Sequence, residues 1–139
     1  MLYRALTLSL TATLILSAGC AGLGGASDED QIADLIESWK LAFQGGDVEL
    51  ANEIYSEDFS SDFMPDKEAV LASLASPEFL GFIAEADFDS SEAVITIEGD
   101  TATVEPIYME GDQGGFQLVH TLAKESDGWK ITGTGGSEL

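Results

Sequence analysis

Positive charge is what this sequence has least of. Arg4 is the only arginine, and Lys40, Lys67, Lys124 and Lys130 are the only lysines, against 26 aspartates and glutamates in 139 residues, for a formal net charge of −21. Such a charge repels nucleic acid and anionic lipid headgroups, so no nucleic-acid partner is expected. Beyond Arg4 no guanidinium remains to clamp a phosphate or carboxylate substrate. A single cysteine, Cys20, cannot form a disulfide within the chain. A single histidine, His120, and the lack of an Asp-x-Asp-x-Asp-Gly loop argue against a dedicated metal site. With no glycine-rich phosphate loop, no Ser-His-Asp order and no Cys-His pair, the sequence calls for no cofactor and gives no support to a hydrolase or nucleotide-binding reading. The acids are spread from Asp28 to Glu138 rather than gathered in a block, which fits a solvated or salt-adapted surface.

The lone cysteine stands at the end of an apolar run. Met1 to Arg4 carries one positive charge, Ala5 to Ala18 is apolar, and Leu16-Ser17-Ala18-Gly19-Cys20 closes on small residues, the layout of an export signal. The run is short for a membrane span. It resembles a bacterial lipoprotein signal, in which residues 1–19 are removed and Cys20 is lipidated; Ser17 stands where leucine is usual in that pattern. Several acyl chains on one residue anchor stably, so the membrane is an expected partner through Cys20. Ala21 in place of an aspartate implies, by the same resemblance, sorting to the periplasmic face of the outer membrane. Residues 20–27 are glycine-rich and read as a flexible tether.

Residues 28–139 then form one domain. Ser27 or Asp28 caps a helix whose Ile32, Leu35, Ile36, Trp39, Ala42 and Phe43 make one apolar stripe, ended by Gly45-Gly46. Asp47 caps a second helix carrying Val48, Leu50, Ala51, Ile54 and Tyr55, and Phe59 to Phe63 reads as extended. Pro65-Asp66 opens a helix over Lys67 to Ala75, and Phe79 to Ile83 reads as a further helical turn after Ser76-Pro77. From about Ala86 the period becomes two, giving strands at Glu92–Glu98, Thr101–Glu110, Phe116–Glu125 and Trp129–Thr134, joined by short antiparallel connections. Helices first and a meander after them is an α+β fold, with the helices on one face of a curved antiparallel sheet.

Several segments carry a resemblance. Trp39-Lys-Leu-Ala-Phe-Gln-Gly-Gly-Asp47, Ile54-Tyr55-Ser-Glu-Asp-Phe59, Asp66-Lys-Glu-Ala-Val70, Gly99-Asp-Thr-Ala-Thr-Val104 and Gly128-Trp-Lys-Ile131 together resemble the nuclear transport factor 2-like superfamily, which includes the SnoaL-like and ketosteroid isomerase-like proteins. The resemblance covers roughly Asp28 to Gly133 and implies a cone-like, cystatin-like domain with an apolar cavity, often dimeric through the outer sheet face. It implies no single activity. Where the isomerase branch has an oxyanion-donating tyrosine this chain has Trp39, and where it has a general-base aspartate the spacing lands on Phe63, with Asp62 next to it.

His120 alternates in phase with Phe116, Leu118 and Leu122 and so is expected on the apolar face. There it either satisfies a neighbouring group in a core or interface, or pairs with Asp62 as an acid–base couple. Trp39, Tyr55, Tyr108 and His120 are the expected ligand-contacting residues, with His120 and Asp62 the catalytic candidates. Thr103, Glu105, Ile107 and Met109 alternate against Ala102, Val104, Pro106 and Tyr108, so both sheet faces look apolar and a homodimer is the simplest closure. Three functions follow: a non-catalytic binding or accessory module for a small apolar ligand, a small lyase or isomerase on a neutral substrate, or a structural envelope protein acting through its sheet face.

Overall fold

The computed structural model describes residues 27–112 and 114–139. Residues 1–26, with the expected signal peptide, Cys20 and most of the tether, lie outside the described residues. Four helices and six strands follow in the order α1 (Asp28–Gly45), α2 (Val48–Ile54), β1 (Tyr55–Ser61), α3 (Lys67–Leu74), α4 (Pro77–Ala84), β2 (Asp87–Asp89), β3 (Val94–Glu98), β4 (Thr101–Gly111), β5 (Gly114–Glu125) and β6 (Gly128–Glu138). The fold is α+β, as the sequence pattern implies.

Helix α1 forms where every local signal agrees. The Ser27 side chain accepts the Asp30 N–H, and the buried residues are Ile32, Leu35, Ile36, Trp39, Ala42 and Phe43, the stripe read from the sequence. Gly46 stops the helix at φ 62°, a left-handed conformation that suits glycine. Asp47 and Asp66 cap α2 and α3 through Leu50 N–H and Ala69 N–H. Pro77 sits in the first turn of α4, where its missing N–H costs nothing.

The sheet runs β1-β6-β5-β4, with β2 and β3 sharing the far edge of β4. It is mixed, because β1 lies parallel to β6. A hairpin dictates antiparallel pairing for its two strands, whereas β1 reaches β6 from the other end of the chain, through helices, and is free of that constraint. Tyr55 opens β1 instead of closing α2, and the strand ends at Ser61, so Asp62 and Phe63 lie beyond it.

Three register shifts interrupt the sheet: one on the β1–β6 pair between Tyr55 and Ser60, and two that shape the site. On β4 the pairing with β5 slips between Val104↔His120 and Ile107↔Leu118, at Glu105-Pro106, where proline has no N–H for the ladder. On the β5–β6 pair, Leu122↔Ile131 is followed by Thr121↔Gly133, which leaves Thr132 as the extra residue. A bulge of this kind reverses the inside–outside alternation beyond it. Ala102 and Val104 point into the core, and past the slip so do Ile107, which is fully buried, and Met109. The expectation that Ile107 and Met109 make the outer face apolar is therefore corrected. That face instead carries Thr96, Thr103 and Thr121 in one cross-strand row.

Candidate functional site

The curve of the sheet and helices α1, α3 and α4 line a cavity of about 160 Å³. Its wall draws on α1 (Trp39, Phe43), β1 (Tyr55, Phe59), α4 (Phe79, Phe82), β2 (Phe88), β4 (Met109) and β5 (Phe116, Leu118, His120), with Thr134 from β6. All 7 phenylalanines of the chain line it. None of its lining residues is Asp, Glu or Lys, in a chain with 26 acids. Aromatic rings meet edge to face, Trp39 on Phe88 at 5.3 Å and Tyr55 on Phe59 at 4.9 Å between centroids, the arrangement their quadrupoles favour. Phe63, half exposed, reaches the wall from beyond β1 and packs on Phe116 at 6.2 Å.

Polar atoms in this wall are few and mostly bonded to one another. The Trp39 indole N–H donates to the Tyr55 hydroxyl at 2.9 Å, which still holds its own proton for a second partner. Burial pushes the Tyr55 hydroxyl well above its ordinary pKa, so it stays neutral. His120 is fully buried, its ring edge-on to Trp39 at 4.5 Å, and its Nδ1 lies 2.8 Å from the Thr134 hydroxyl. Burial brings its pKa down to about 4, opposed by a hydrogen bond to the Gly133 backbone. The ring is thus neutral over the physiological range. Nε2 has no hydrogen-bond partner.

Of the residues expected to contact a ligand, Trp39, Tyr55 and His120 line the cavity. Tyr108 does not. The slip at Glu105-Pro106 turns Met109 inward in its place, and Tyr108 borders a shallow surface depression with Asp87, Asp89, Glu110 and Leu139. Asp62 is exposed, contributes nothing to the wall and is not bonded to His120, so the acid–base couple is not assembled. Phe59, Ser61 and Phe63 line the cavity, and strand alternation turns the intervening Asp62 away from it. Thr134, Phe88, Phe116 and Met109 were not among the expected contacts. Phe116 has a usable signal in its period-two alternation with Leu118 and His120, whereas Met109 depends on the slip at Glu105-Pro106 and Thr134 on the bulge at Thr132. Among the described residues no group of three or more His, Cys, Asp or Glu side chains could hold a metal ion, and no helix is long and apolar enough to cross a membrane.

No protein-family model and no curated protein matches the sequence. Solved structures do. A nuclear transport factor 2-like protein from Cytophaga hutchinsonii superposes with a TM-score of 0.68 over 82% of this chain and 100% of its own, at 20% identity. A nuclear transport factor 2-like protein with a cystatin-like fold from Novosphingobium aromaticivorans gives 0.65 over 81% and 82%, also at 20% identity. A superfamily protein from Salmonella enterica gives 0.63 over 80% and 90%, at 12% identity. This chain has the nuclear transport factor 2-like fold. In that fold the helices cover the concave side of the sheet, and the position that the isomerase resemblance assigns to a general base is held here by Phe63, an apolar side chain at the mouth of the cavity.

Proposed function

We propose that the protein is a lipid-anchored, extracytoplasmic binding module whose cavity takes a small, neutral, apolar ligand without transforming it. The observation that carries the reading is a wall holding every phenylalanine of the chain and no formally charged side chain. An anion or cation would lose its hydration there and find nothing to replace it. An apolar molecule exchanges water for rings and methyl groups. Turnover by acid–base chemistry asks for a proton acceptor matched to neutral pH. His120, held down to about 4, is a poor match, and no carboxylate lies in the wall to assist it. The anchor rests on the sequence pattern ending at Cys20, with residues 20–27 as the tether to the outer membrane.

Native mass spectrometry of the protein taken from its own membranes tests both parts. A retained neutral small molecule, and toluene binding that saturates and shifts the Trp39 indole resonance, are the expected results. No retained molecule and no saturable toluene binding would remove the binding reading. Cys20→Ser moves the protein out of the detergent phase in a phase-partition assay; unchanged membrane retention would remove the anchor.

A further inference from the structure

The two ends of strand β5 serve different parts of the molecule. At its start the chamber opens. Phe116 there is half-buried, Leu118 is buried and His120 fully so, and the two exposed wall residues gather round Phe116, with Phe63 packed on it at 6.2 Å and Phe82 beside it in a shallow depression that adjoins the chamber. At its finish the chain enters the domain. Asp28, the first residue of α1, accepts the Trp129 indole N–H at 3.1 Å and meets the Lys124 ammonium at 2.9 Å, and Lys124 and Trp129 pair beside the β5–β6 turn. Phe116 and Lys124 lie about 26 Å apart along the strand at about 3.3 Å per residue. The segment before Ser27 therefore joins the domain at the end remote from the mouth.

We propose that the anchored domain stands with the mouth of its chamber turned away from the membrane, so that the chamber is loaded from water and its ligand is a free, diffusible molecule rather than the acyl chain of a bilayer lipid. The proposal rests on the anchor and binding readings above and adds the route of entry. Reach supports it. Cys20 to Ser27 spans about 25 Å only at full stretch, and a glycine-rich chain of that length has a root-mean-square span of about 15 Å, too short to let the domain turn over and lay its mouth on the lipid. Charge supports it independently. Exposed acids surround the mouth: Asp62 beside Phe63, Glu78 and Glu85 at the two ends of α4, Glu110 and Asp112 at the β4–β5 turn, and Glu138 opposite Phe116. No lysine lines the chamber or the depression beside it, whereas Lys124 and Lys130 stand at the tether end. An anionic lipid surface repels the first end more strongly than the second. Size agrees as well, since a chamber of about 160 Å³ is of the order that admits one benzene ring, far short of a lipid acyl chain.

Single cysteines added to the full lipidated chain, in which Cys20 is blocked by its lipid, carry the test. Asp112→Cys and Glu138→Cys mark the mouth and Ser126→Cys the β5–β6 turn; all three positions are exposed, so a dye displaces no core residue. Each variant is labelled with an NBD dye and placed in vesicles of phosphatidylethanolamine and phosphatidylglycerol that carry nitroxide on a fraction of their headgroups. The dye at position 126 is expected to be quenched at least threefold more than either mouth dye. Equal quenching at the two ends, or stronger quenching at 112 and 138, would overturn the proposal and leave the anchor and binding readings standing. Vesicle lipids with a diazirine at the end of the acyl chain should give no adduct on the peptide that holds Phe82 when the unlabelled chain is illuminated, and an adduct there would overturn loading from water. A chain that washes off the vesicles as Cys20→Ser does would remove the anchor and the orientation together. Failure of toluene to bind would remove the binding reading and the loading route, while the quenching still reports which end faces the lipid.

Discussion

A buried neutral histidine makes stability depend on pH with a sign opposite to that of a salt-bridged one. In the unfolded chain His120 titrates near 6.5, and in the folded protein burial holds it down to about 4. Between those values the unfolded state binds a proton that the folded state does not, so unfolding gains ground as pH falls. The contribution is fully present above pH 6.5, is lost as pH drops through 6.5 toward 4, and levels off below 4, where the native ring also charges. A depression from 6.5 to about 4, at about 1.4 kcal/mol per unit, makes the span about 3 kcal/mol. Carboxylates titrate in the same range. Asp28 and Asp89 are both held below their ordinary values, Asp28 by the Lys124 ammonium and Asp89 by Ser91, and they too lose their contribution in acid. A variant that keeps every carboxylate and lacks the imidazole isolates the histidine. His120→Gln is expected to be about 1–3 kcal/mol less stable than wild type at pH 7.5, having lost the Nδ1–Thr134 bond and the packing on Trp39. Urea unfolding of both proteins from pH 7.5 to pH 4.5 should show the wild type losing stability faster, so that the two converge or cross by the lower pH. A difference that stays constant within a few tenths of a kcal/mol would refute the buried neutral ring.

Two further outcomes follow from the fold. Gly46→Ala should cost about 1–2 kcal/mol in urea unfolding, because φ is 62° and an added Cβ would meet the Leu80 side chain at 2.8 Å, whereas Gly45→Ala, with open space at its Cβ inside α1, should stabilise by up to about 1 kcal/mol; equal effects would refute the cap. All four lysines already pair with acids, Lys40 with Glu37, Lys67 with Glu57, Lys124 with Asp28 and Lys130 with Asp127, so most of the 26 acids face one another uncompensated. The melting temperature should therefore rise from 0.01 M to 1 M sodium chloride, as the Debye length shrinks from about 30 Å to about 3 Å, and a flat or falling profile would show that self-repulsion is not a term in this fold.

The helical half was legible because its signals are local and redundant. In α1 the cap, the 3.6-residue stripe and the terminal glycine each specify the same boundaries. Strand β2 had no such support, being three residues long between acidic turns. Strand β6 runs on to Glu138 through Gly133, Gly135 and Gly136, which carry no side chain for a period to show; cross-strand bonds to β5 hold that stretch. The cavity was not legible as a set, since its phenylalanines come from α1, β1, the segment after it, α4, β2 and β5, mostly one or two from each. No window of sequence contains their convergence. Pro106 is the one local sign of the slip, because a proline inside an alternating run argues for a bulge or edge and so for a change of face beyond it.

Those two changes of face decide the chemistry of the site. With unbroken alternation β4 would send Pro106 and Tyr108 inward after Val104, adding a phenolic hydroxyl to the wall and taking away Ile107 and Met109. Unbroken alternation on β6 would send Gly133 inward after Ile131, leaving no side chain beside His120. The slip at Thr132 instead pairs His120 with Thr134, whose hydroxyl meets Nδ1. One bulge keeps the Tyr108 hydroxyl out of the cavity and the other sets Thr134 beside His120. The result is an aromatic chamber with few polar groups, a property that belongs to the register of the sheet and to no motif in the sequence.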